Sequence, residues 1–411
     1  MTIELRPILS TLRRHKTASA LIVLEIALSC AIICNALFLI GGRLERMDRV
    51  SGIAEDTLVR VQITGIGNDD NAAALTKSDL AALRGVPGVE AASVSNQIVY
   101  GNGSWNSSVN LAREQTQQTL SATIYLGEEQ LLDTMGLNLV AGRRFSADDF
   151  VEWDAVNAPD SKVQPHVAII TRSVAEKLYP GQNPLGKQFY SWGDEPTQVV
   201  GVVDHLVRPN EQDGPAAHEY ALLLPLRTPY TVGGNYLLRV SDPARRDEVL
   251  KAAVAALERN SPNRIILEQD TFEQLRADYY RNDRAMAWML VAVCIALLVV
   301  TALGIVGLAS FWVQQRTRQI GVRRALGATR GQILRYFQTE NFLLATVGIV
   351  LGMMLAFGIN QLLMAKYELP RLPAIYLPVG ALALWLLGQL SVLGPARRAS
   401  AVPPAVATRS V

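Results

Sequence analysis

The stretch AMAWMLVAVCIALLVVTALGIVGLASFWV, residues Ala285–Val313, contains no charged side chain in 29 consecutive positions. A helix of this length, at about 1.5 Å of rise per residue, exceeds the hydrocarbon core of a bilayer, which is about 30 Å thick. Three further apolar segments are long enough to cross it, at Ala18–Ile40, Asn341–Ala365 and Leu372–Gly394. The sequence therefore predicts a membrane protein with four transmembrane α-helices, one of which precedes a large polar insertion and three of which follow it.

The predicted domain bounds follow from these spans. The N-terminal segment places Leu5, Ile8, Leu9 and Leu12 on one helical face, which favours a helix lying at the membrane surface over a contact with a partner protein. The first span remains as an anchor, because it is too long for the apolar region of a signal peptide. The bounds are 1–17 for the amphipathic helix, 18–42 for the first span, 43–284 for the polar domain, 285–313, 341–365 and 372–394 for the other spans, 314–340 for a loop and 395–411 for the tail.

Charge assigns the sides of the membrane. The two terminal segments and the loop at 314–340 carry 13 positive and 2 negative side chains, whereas residues 43–284 carry 24 positive and 33 negative. Short loops rich in Lys and Arg stay in the cytoplasm, so both termini are predicted there and the polar domain outside. The three cysteines, Cys30, Cys34 and Cys294, all lie in predicted spans. The outer domain must therefore be stabilised by packing, without disulfides.

The outer domain reads as a mixture of strands and helices. A strand, helix and strand are predicted at Thr57–Thr64, Lys77–Arg84 and Val89–Ser95, and the same order recurs at Tyr236–Val240, Asp247–Arg259 and Arg264–Glu268. Between them lie predicted strands at Val167–Ile170 and Gln198–Val203 and a helix at Ser173–Leu178. We therefore predict an α+β domain of two subdomains, one discontinuous at about 50–126 and 225–270, the other inserted at about 127–224.

The segment before the second span has the pattern of a stalk. Phe272, Leu275 and Tyr279 are spaced like one helix face, and neither Gly nor Pro follows before Ala285. A continuous helix over 271–284 and into the membrane is the favoured interpretation, because it could carry motion across the boundary. The alternative is a separate short helix with a kink.

The loop between the second and third spans is the most specific local sequence. Arg316–Glu340 reads RTRQIGVRRALGATRGQILRYFQTE, which predicts a basic helix to Leu326, a stop at Gly327 and a second helix capped by Thr329 and Gln332. The first helix would lie across the membrane surface and expose Arg323 and Arg324. The alternative is an ordinary cytoplasmic loop whose arginines hold orientation and bind anionic lipid.

Two polar residues interrupt the first span. A carboxylate inside a membrane is costly and is a functional candidate by default, which singles out Glu25. The plainer interpretation places it near the cytoplasmic interface, paired with a nearby Arg or Lys. Asn35, ten residues later, could bond across helices.

Evidence for catalysis is thin. The four histidines lack metal-ligand spacing. Gly181–Lys187 fits the first part of a P-loop, but Gln188 stands where Ser or Thr would meet magnesium, and a helix rather than a strand precedes it. We interpret it as a turn. No catalytic, metal or cofactor site is predicted in this chain.

Several motifs resemble those of a known family. The run RQIGVRRALGATRGQILRYFQTE and the closing GPARRASAVPPAVATR resemble the loop and C-terminal motif of MacB/FtsX-like permeases of ABC transporters, in the type VII superfamily. MGLNLVAGRRFSADD from Met135, AIITRSVAEKLYPGQNPLGKQF from Ala168 and VVGVVDHL from Val199 resemble the MacB-type periplasmic core. The resemblance touches the whole chain and includes the one-plus-three topology.

The resemblance implies a multi-pass subunit of the bacterial inner membrane with a periplasmic outer domain. It implies a permease dimer, formed with a second copy or a similar permease, and a separate ATPase that holds ATP and Mg. ATP-driven motion would pass through the stalk to the outer domain, for efflux or export with a periplasmic adaptor and possibly an outer-membrane channel. Membrane lipid is a further partner, and nucleic acid is not. The loop would dock on the ATPase through Arg318, Gln319, Ile320, Gly321, Arg323, Arg324, Ala325, Leu326, Gly327, Ala328 and Thr329.

The alternative function is a membrane sensor or receptor that signals through a separate cytoplasmic partner. A sensor needs an output module, and the longest predicted cytoplasmic segment, at 314–340, is too short to be one. The permease interpretation is therefore favoured. No residue pattern selects a substrate.

Overall fold

A computed structural model describes residues 16–66, 71–210, 217–367 and 371–403 of the chain. The chain divides into two compact units, which are described separately. The helical unit comprises residues 1–48 and 282–411, and the sheet unit is Arg49–Arg281. The predicted amphipathic helix lies outside the described residues except for its last two positions, as does the tail from residue 404.

The helices are α1 Lys16–Met47, α2 Ala72–Arg84, α3 Leu131–Met135, α4 Trp153–Val156, α5 Arg172–Leu178, α6 Arg246–Asn260, α7 Phe272–Tyr279, α8 Arg281–Gln315, α9 Thr317–Ala325, α10 Arg330–Tyr367 and α11 Tyr376–Ser400. The strands are β1 Leu58–Gly65, β2 Val89–Ser95, β3 Asn106–Val109, β4 Leu120–Gly127, β5 Leu139–Gly142, β6 Val151–Glu152, β7 Val167–Thr171, β8 Gln188–Phe189, β9 Thr197–Val203, β10 Ala221–Arg227, β11 Asn235–Val240 and β12 Arg264–Thr271. The predicted strands and helices of the outer domain are all present, with ends that differ by up to five residues.

Four helices of the described residues are long and apolar enough to cross a membrane: α1, α8, α10 and α11. The first three contain the predicted spans in full. The fourth begins at Tyr376 rather than at Leu372, because Leu372 donates its backbone N–H to the Oδ1 of Asn360 at 2.9 Å instead of starting a helix.

Glycine allows α1 and α10 to approach closely. A Cβ atom added at Gly352 would lie 2.5 Å from the Cβ of Cys30, and one at Gly348 would lie 2.9 Å from the Cβ of Ile26. Small residues at such contacts let helix backbones meet in apolar surroundings, where van der Waals packing drives association. A further bond links α1 to α8, between the hydroxyls of Ser29 and Thr301 at 2.8 Å.

The sheet unit contains one mixed sheet in the order β12-β1-β11-β2-β4-β10-β7-β9-β5, with β3, β6 and β8 paired at its sides. In its first half, β1 and β2 are both antiparallel to β11, which lies between them. Likewise β1 lies between β11 and β12 and is antiparallel to both. The two predicted strand-helix-strand units are therefore split and interleaved. Their helices α2 and α6 cover one face of the sheet, over a core that includes Val61, Leu83 and Leu257.

The second half has its own core, formed by β4, β7, β9, β10 and α5 around residues such as Ile170, Phe189 and Leu224. Val109, Leu120 and Leu126 of β3 and β4 also belong to this core. The predicted range of about 50–126 for the first subdomain is therefore too long, since residues 106–127 pack with the inserted part. Only one residue pair, Ser95 with Gly127, joins β2 to β4.

The predicted continuous stalk helix is interrupted. α7 ends at Tyr279, Tyr280 adopts φ −91° and ψ 11°, and α8 begins at Arg281. Neither Gly nor Pro causes the break. Instead the Tyr280 side chain is buried, with its ring centroid 5.9 Å from that of Tyr100. The expectation of one unbroken helix over 271–284 is wrong at this residue, because tertiary packing of an aromatic side chain overrides local helix propensity.

Candidate functional site

The end of α9 is fixed by a glycine in the left-handed region. Gly327 has φ +95° and donates its N–H to the Arg324 carbonyl at 3.2 Å, while Ala328 donates to the Arg323 carbonyl at 3.0 Å. These two bonds form the Schellman motif that commonly closes a helix. Because L side chains rarely adopt this φ, glycine at this position determines where the chain turns. The predicted stop at Gly327 is confirmed.

α10 starts with the predicted capping box. The Thr329 hydroxyl accepts from the N–H of Gln332 at 3.3 Å, and the Gln332 side chain accepts from the N–H of Thr329 at 2.8 Å. Two donors at the helix start are thereby satisfied. α9 and α10 are therefore two well-terminated helices separated by a defined turn.

α9 is held against the rest of the helical unit by one buried side chain and one ion pair. Ile320 packs in a small core with Ile333, Phe337 and residues near the end of α11. At the start of α9, Arg316 donates to both oxygens of Glu340 at 2.9 and 3.1 Å, and both side chains are buried. Such a pair tolerates loss of either partner poorly, so it fixes the position of the turn between α8 and α9.

The outward face of α9 carries apolar side chains that touch little of the chain. Leu326 is 83% exposed and Val322 is 44% exposed, beside the exposed Arg318. We call Arg318, Val322 and Leu326 the outward face. Of the predicted ATPase-coupling residues, Ile320 and Gly321 are buried, Arg324 and Ala328 are half-buried, and Arg318, Gln319, Arg323, Ala325, Leu326, Gly327 and Thr329 are exposed.

The two central arginines of the loop differ in environment. Arg323 is exposed and lies over the ring of Tyr336, with its Cζ 4.9 Å from the ring centroid. Arg324 is half-buried and donates to the Ala328 carbonyl at 3.2 Å. The expectation that both are simply exposed is wrong for Arg324, because it braces the turn at Gly327.

The predicted stalk residues lie on one element but in different surroundings. Phe272 is fully buried, whereas Leu275 and Tyr279 are half-buried. α7 begins with a second capping box, in which Thr271 and Gln274 exchange bonds of 3.2 Å. The start of α7 is thus anchored in the sheet unit by packing and by capping.

A hydrogen-bonded cluster that no local sequence pattern predicts holds the end of α7. Arg276 donates to both oxygens of Glu55 at 3.1 and 3.0 Å and to the Arg49 carbonyl at 3.1 Å. The hydroxyl of Tyr100 donates to the same Glu55 carboxylate at 2.7 Å, and its ring centroid lies 5.4 Å from that of Tyr279. The segment that begins the sheet unit and the helix that ends it are therefore tied to one side chain.

Tyr100 is strained in this position. Its φ is +66°, in the left-handed region that costs a non-glycine residue about 1–2 kcal/mol. Burial, and after it the bond to Glu55, raise the pKa of Tyr100 well above its usual value. The hydroxyl therefore stays protonated and donates its hydrogen. A strained backbone conformation persists only where surrounding contacts hold it, and the hydrogen bond to Glu55 and the packing of the ring do so at Tyr100.

The positive φ of Tyr100 predicts that a glycine variant at this position is more stable than an alanine variant, the reverse of the usual order. Tyr100→Gly and Tyr100→Ala lose the same ring and hydroxyl, but only glycine adopts positive φ freely, so Tyr100→Gly should be the more stable by about 1 kcal/mol. Urea unfolding of the full chain in detergent, followed by tryptophan fluorescence, measures the difference. Elsewhere alanine is normally the more stabilising residue, so an alanine variant at least as stable as the glycine variant would contradict the assigned conformation.

The two intramembrane polar residues are placed on different sides of α1. Asn35 is buried and donates to the carbonyl of Ala356 in α10 at 3.2 Å, so it links helices within the chain. Glu25 is half-buried against Gly304 of α8, where a Cβ would collide with its carboxylate. No salt bridge to Glu25 is found among the described residues, so the predicted partner Arg or Lys is absent from that part of the chain.

The other candidates considered from the sequence, a metal site and a P-loop, are not formed by the described residues. Across the described residues, no group of three or more His, Cys, Asp or Glu side chains could hold a metal ion. The P-loop-like stretch forms turns between α5 and β8, with positive φ at Gly181 and Gly186, as its interpretation as a turn requires. The turn at Gly327 between α9 and α10 therefore has the best-defined geometry of the predicted sites.

One residue that holds α9 in place, Glu340 of α10, was not among the predicted site residues although the sequence contained a signal for it. Glu340 is the single acidic residue from Gln314 through Ala365, and it forms the buried pair with Arg316. A lone acid that ends a run of basic residues could have been assigned as a partner for one of them. Tyr100 and Glu55, by contrast, lie far in sequence from α7, and no local pattern relates them.

Two family models match the chain. The MacB-like periplasmic core domain matches residues 19–256, and the FtsX-like permease C-terminal domain matches residues 291–404. The first match alone covers more than half of the chain.

Individual relatives include the "Uncharacterized ABC transporter permease YknZ" of Bacillus subtilis (strain 168), 23% identical over 99% of this chain and 98% of the relative. The macrolide export ATP-binding/permease protein MacB of Acinetobacter baylyi is 24% identical over 97% of this chain but only 58% of its own length. The pyoverdine export ATP-binding/permease protein PvdT of Pseudomonas putida is 30% identical over 66% of this chain and 43% of its own.

Two solved structures are similar in part. The periplasmic region of MacB from Actinobacillus actinomycetemcomitans is 17% identical with a TM-score of 0.34, and covers 56% of this chain and 95% of its own. The extracellular domain of a YknZ transporter from Gram-positive bacteria is 17% identical with a TM-score of 0.31, and covers 51% of this chain and all of its own.

Proposed function

Because the chain belongs to the family of MacB-like and FtsX-like permeases of ABC transporters, we propose that it transmits ATP-driven motion to its sheet unit. ATP would be hydrolysed, with Mg, on a separate ATPase polypeptide that docks on the outward face of α9. The motion would serve efflux or export of a substrate on the outer side of the membrane. The YknZ relative, which bears the name of a permease, is similar along nearly its whole length.

The proposed topology has four spans, formed by α1, α8, α10 and α11, in the inner membrane. Both termini and α9 face the cytoplasm, and the sheet unit faces the periplasm. The charge distribution supports this orientation, because the segments outside the spans at 1–17, 314–340 and 395–411 are basic whereas the segment at 43–284 is acidic. The stalk is proposed to consist of α7 and the start of α8, with Phe272, Leu275 and Tyr279 on its packed face.

The observation that carries the docking proposal is the exposure of Leu326. A leucine that is 83% exposed at the end of a braced basic helix contributes nothing to packing within the described chain. An exposed apolar side chain beside arginines suits a protein interface, because the buried centre of an interface is more apolar than the rest of the surface and is enriched in Arg. The Gly327 turn, the capping box and the Arg316–Glu340 pair hold this residue in a fixed position, which lowers the entropic cost of binding.

A second permease copy or a similar permease, a periplasmic adaptor and an outer-membrane channel are further proposed partners. The basis is the family alone, since MacB-type relatives are named for export. The sensor alternative is not favoured, because the relatives named above are transporter permeases.

We expect Leu326→Asp to abolish the association with the ATPase while leaving the fold intact. Loss of a central apolar contact typically costs about 2 kcal/mol or more in binding, which is more than tenfold in affinity. The measurement is ATP hydrolysis by the complex that co-purifies with the tagged full chain from membranes of its own host. Gly331→Asp adds the same charge five residues away, at an exposed position with open space around it, and serves as the matched control.

The proposal fails in either of two ways. Wild-type chain that brings down no ATP hydrolysis would remove the basis for a partner ATPase. Leu326→Asp that retains the wild-type level of co-purified hydrolysis would show that the outward face is not the docking surface. Loss in Leu326→Asp with retention in Gly331→Asp supports a contact at Leu326 rather than a general effect of charge.

A further inference from the structure

A cleft lies on the side of α9 that faces the first turns of α10. Its volume is about 140 Å³, and a single water needs only about 10–15 Å³ of such space. Its floor is apolar, formed by Ile320, Ile333 and Phe337, and Gln319, Arg323 and Tyr336 line it with polar groups. It is therefore roomy enough for a small polar group that is larger than a water molecule.

The charges around the cleft leave one positive side chain uncompensated. Arg316 also lines it, but its charge is balanced by Glu340. Arg323 has no carboxylate within 4.0 Å among the described residues, and no lining residue is acidic. The cleft thus has a net charge of about +1, carried by the exposed guanidinium of Arg323, which suits a singly charged oxyanion.

The cleft lies where the apolar helices end. Trp312 and Val313 close the apolar run of α8, and Arg316 follows within one helical turn. Trp and Tyr are enriched at the level of lipid head groups, and Arg at the cytoplasmic ends of spans binds their phosphates. Trp312 and Tyr336 occupy such positions on α8 and α10. The group nearest to the cleft in a bilayer would be a phosphodiester of the cytoplasmic leaflet.

We propose that this cleft binds the phosphodiester of an anionic phospholipid. Arg323 and Gln319 would donate to its oxygens, and the apolar floor would contact the glycerol carbons. The guanidinium is suited to this role, because its planar fork binds two phosphate oxygens at once. This inference rests on the proposed function in one respect, because the proposed topology sets how deep α8 and α10 lie in the membrane.

The lipid and the ATPase would use different faces of α9. Arg316, Gln319, Ile320 and Arg323 follow the i, i+3, i+4, i+7 spacing of the face toward the cleft. Arg318 and Val322 lie on the adjacent face, and Leu326 lies beyond Arg323 at the end of the helix and does not line the cleft. Both can therefore be occupied together. A phosphate held between α9 and α10 would brace the outward face, so anionic lipid would strengthen coupling to the ATPase.

The test measures lipid binding by the full chain alone in detergent, by native mass spectrometry with phosphatidylglycerol or phosphatidylcholine. We expect phosphatidylglycerol to bind the tighter of the two, and Arg323→Ala to weaken its binding about tenfold, the effect of losing roughly 1.4 kcal/mol. Arg335→Ala is the matched control. It removes the same charge from an exposed position next to Tyr336 that does not line the cleft, and it should bind as the wild type does.

Three results would overturn the proposal. Equal losses in Arg323→Ala and Arg335→Ala would mean that diffuse charge, not a site, holds the lipid. Equal binding of both lipids would remove the preference for an anionic head group. Displacement of phosphatidylglycerol by millimolar inorganic phosphate would identify a free anion as the occupant. Because no ATPase is present, failure of the docking proposal leaves these readouts unchanged.

Discussion

Replacement of Asp79 by Ala is expected to destabilise the sheet unit by about 3–5 kcal/mol, because it leaves a buried guanidinium without its carboxylate. Asp79 lies on α2 and is fully buried. It accepts hydrogen bonds from Arg264, at 2.7 Å for one of them, from the Tyr236 hydroxyl at 2.5 Å and from the Asn260 amide at 2.6 Å. The Arg264 side chain is only 4% exposed.

The carboxylate at Asp79 also sets the state of its neighbours. Burial, and next the Asp79 charge, raise the pKa of Tyr236 well above its usual value, so the hydroxyl remains a donor. Urea unfolding of the full chain in detergent, read by tryptophan fluorescence, gives the change in free energy. Asp79→Asn keeps the shape and one acceptor, and it should cost less than Asp79→Ala. If Asp79→Ala unfolds within about 1 kcal/mol of wild type, the network does not hold α2 to β12 as described.

A valine at position 352 is expected to separate α1 from α10. The first carbon of any side chain there would lie 2.5 Å from the Cβ of Cys30 and 2.7 Å from the carbonyl oxygen of Ala27. Neither atom belongs to a flexible side-chain end, so the backbones must move apart. Overpacking of this kind costs about 1–3 kcal/mol, and more where backbone is struck. Cys30, now fully buried, should then become reactive.

Maleimide labelling of Cys30 in detergent, in a chain with Ser at Cys34 and Cys294, measures this opening. Gly358→Val is the control on the same helix, because a Cβ at Gly358 has no heavy atom within 4 Å. Labelling should be slow in wild type and in Gly358→Val and fast in Gly352→Val. Equal labelling of the two valine variants would mean that α1 and α10 do not meet at Gly352.

Local features could be predicted from the sequence because they depend on neighbouring residues. The stop at Gly327 and the cap formed by Thr329 and Gln332 are properties of a few consecutive positions, and both are present. The strands at Val89–Ser95 and Val167–Thr171 follow from apolar runs bounded by turn residues. The positions of the four apolar helices likewise follow from length and hydropathy.

Long-range features could not be predicted in this way. The interleaving of β11 between β1 and β2 joins residues more than 130 positions apart, and strand patterns do not encode which strands pair. The break at Tyr280 depends on Tyr100, which belongs to a distant loop. β3 and β4 pack in the second core because only one residue pair, Ser95 with Gly127, joins β4 to the first half of the sheet. No local sequence pattern marks where that pairing ends.

The single pair that joins β2 to β4 makes the sheet an articulated structure rather than a uniformly elastic one. Neighbouring ladders on either side hold five or six residue pairs each, as between β2 and β11 or between β4 and β10. Beyond Ser95, the side chains of Asn96 and Gln97 take over from the backbone and bond to the Ile124 carbonyl at 3.0 and 2.8 Å. Backbone pairing between the two cores is therefore limited to one residue pair, and side-chain contacts such as that of Arg84 with Glu128 and the backbone bond from Ala54 to Met135 supply the rest of the connection.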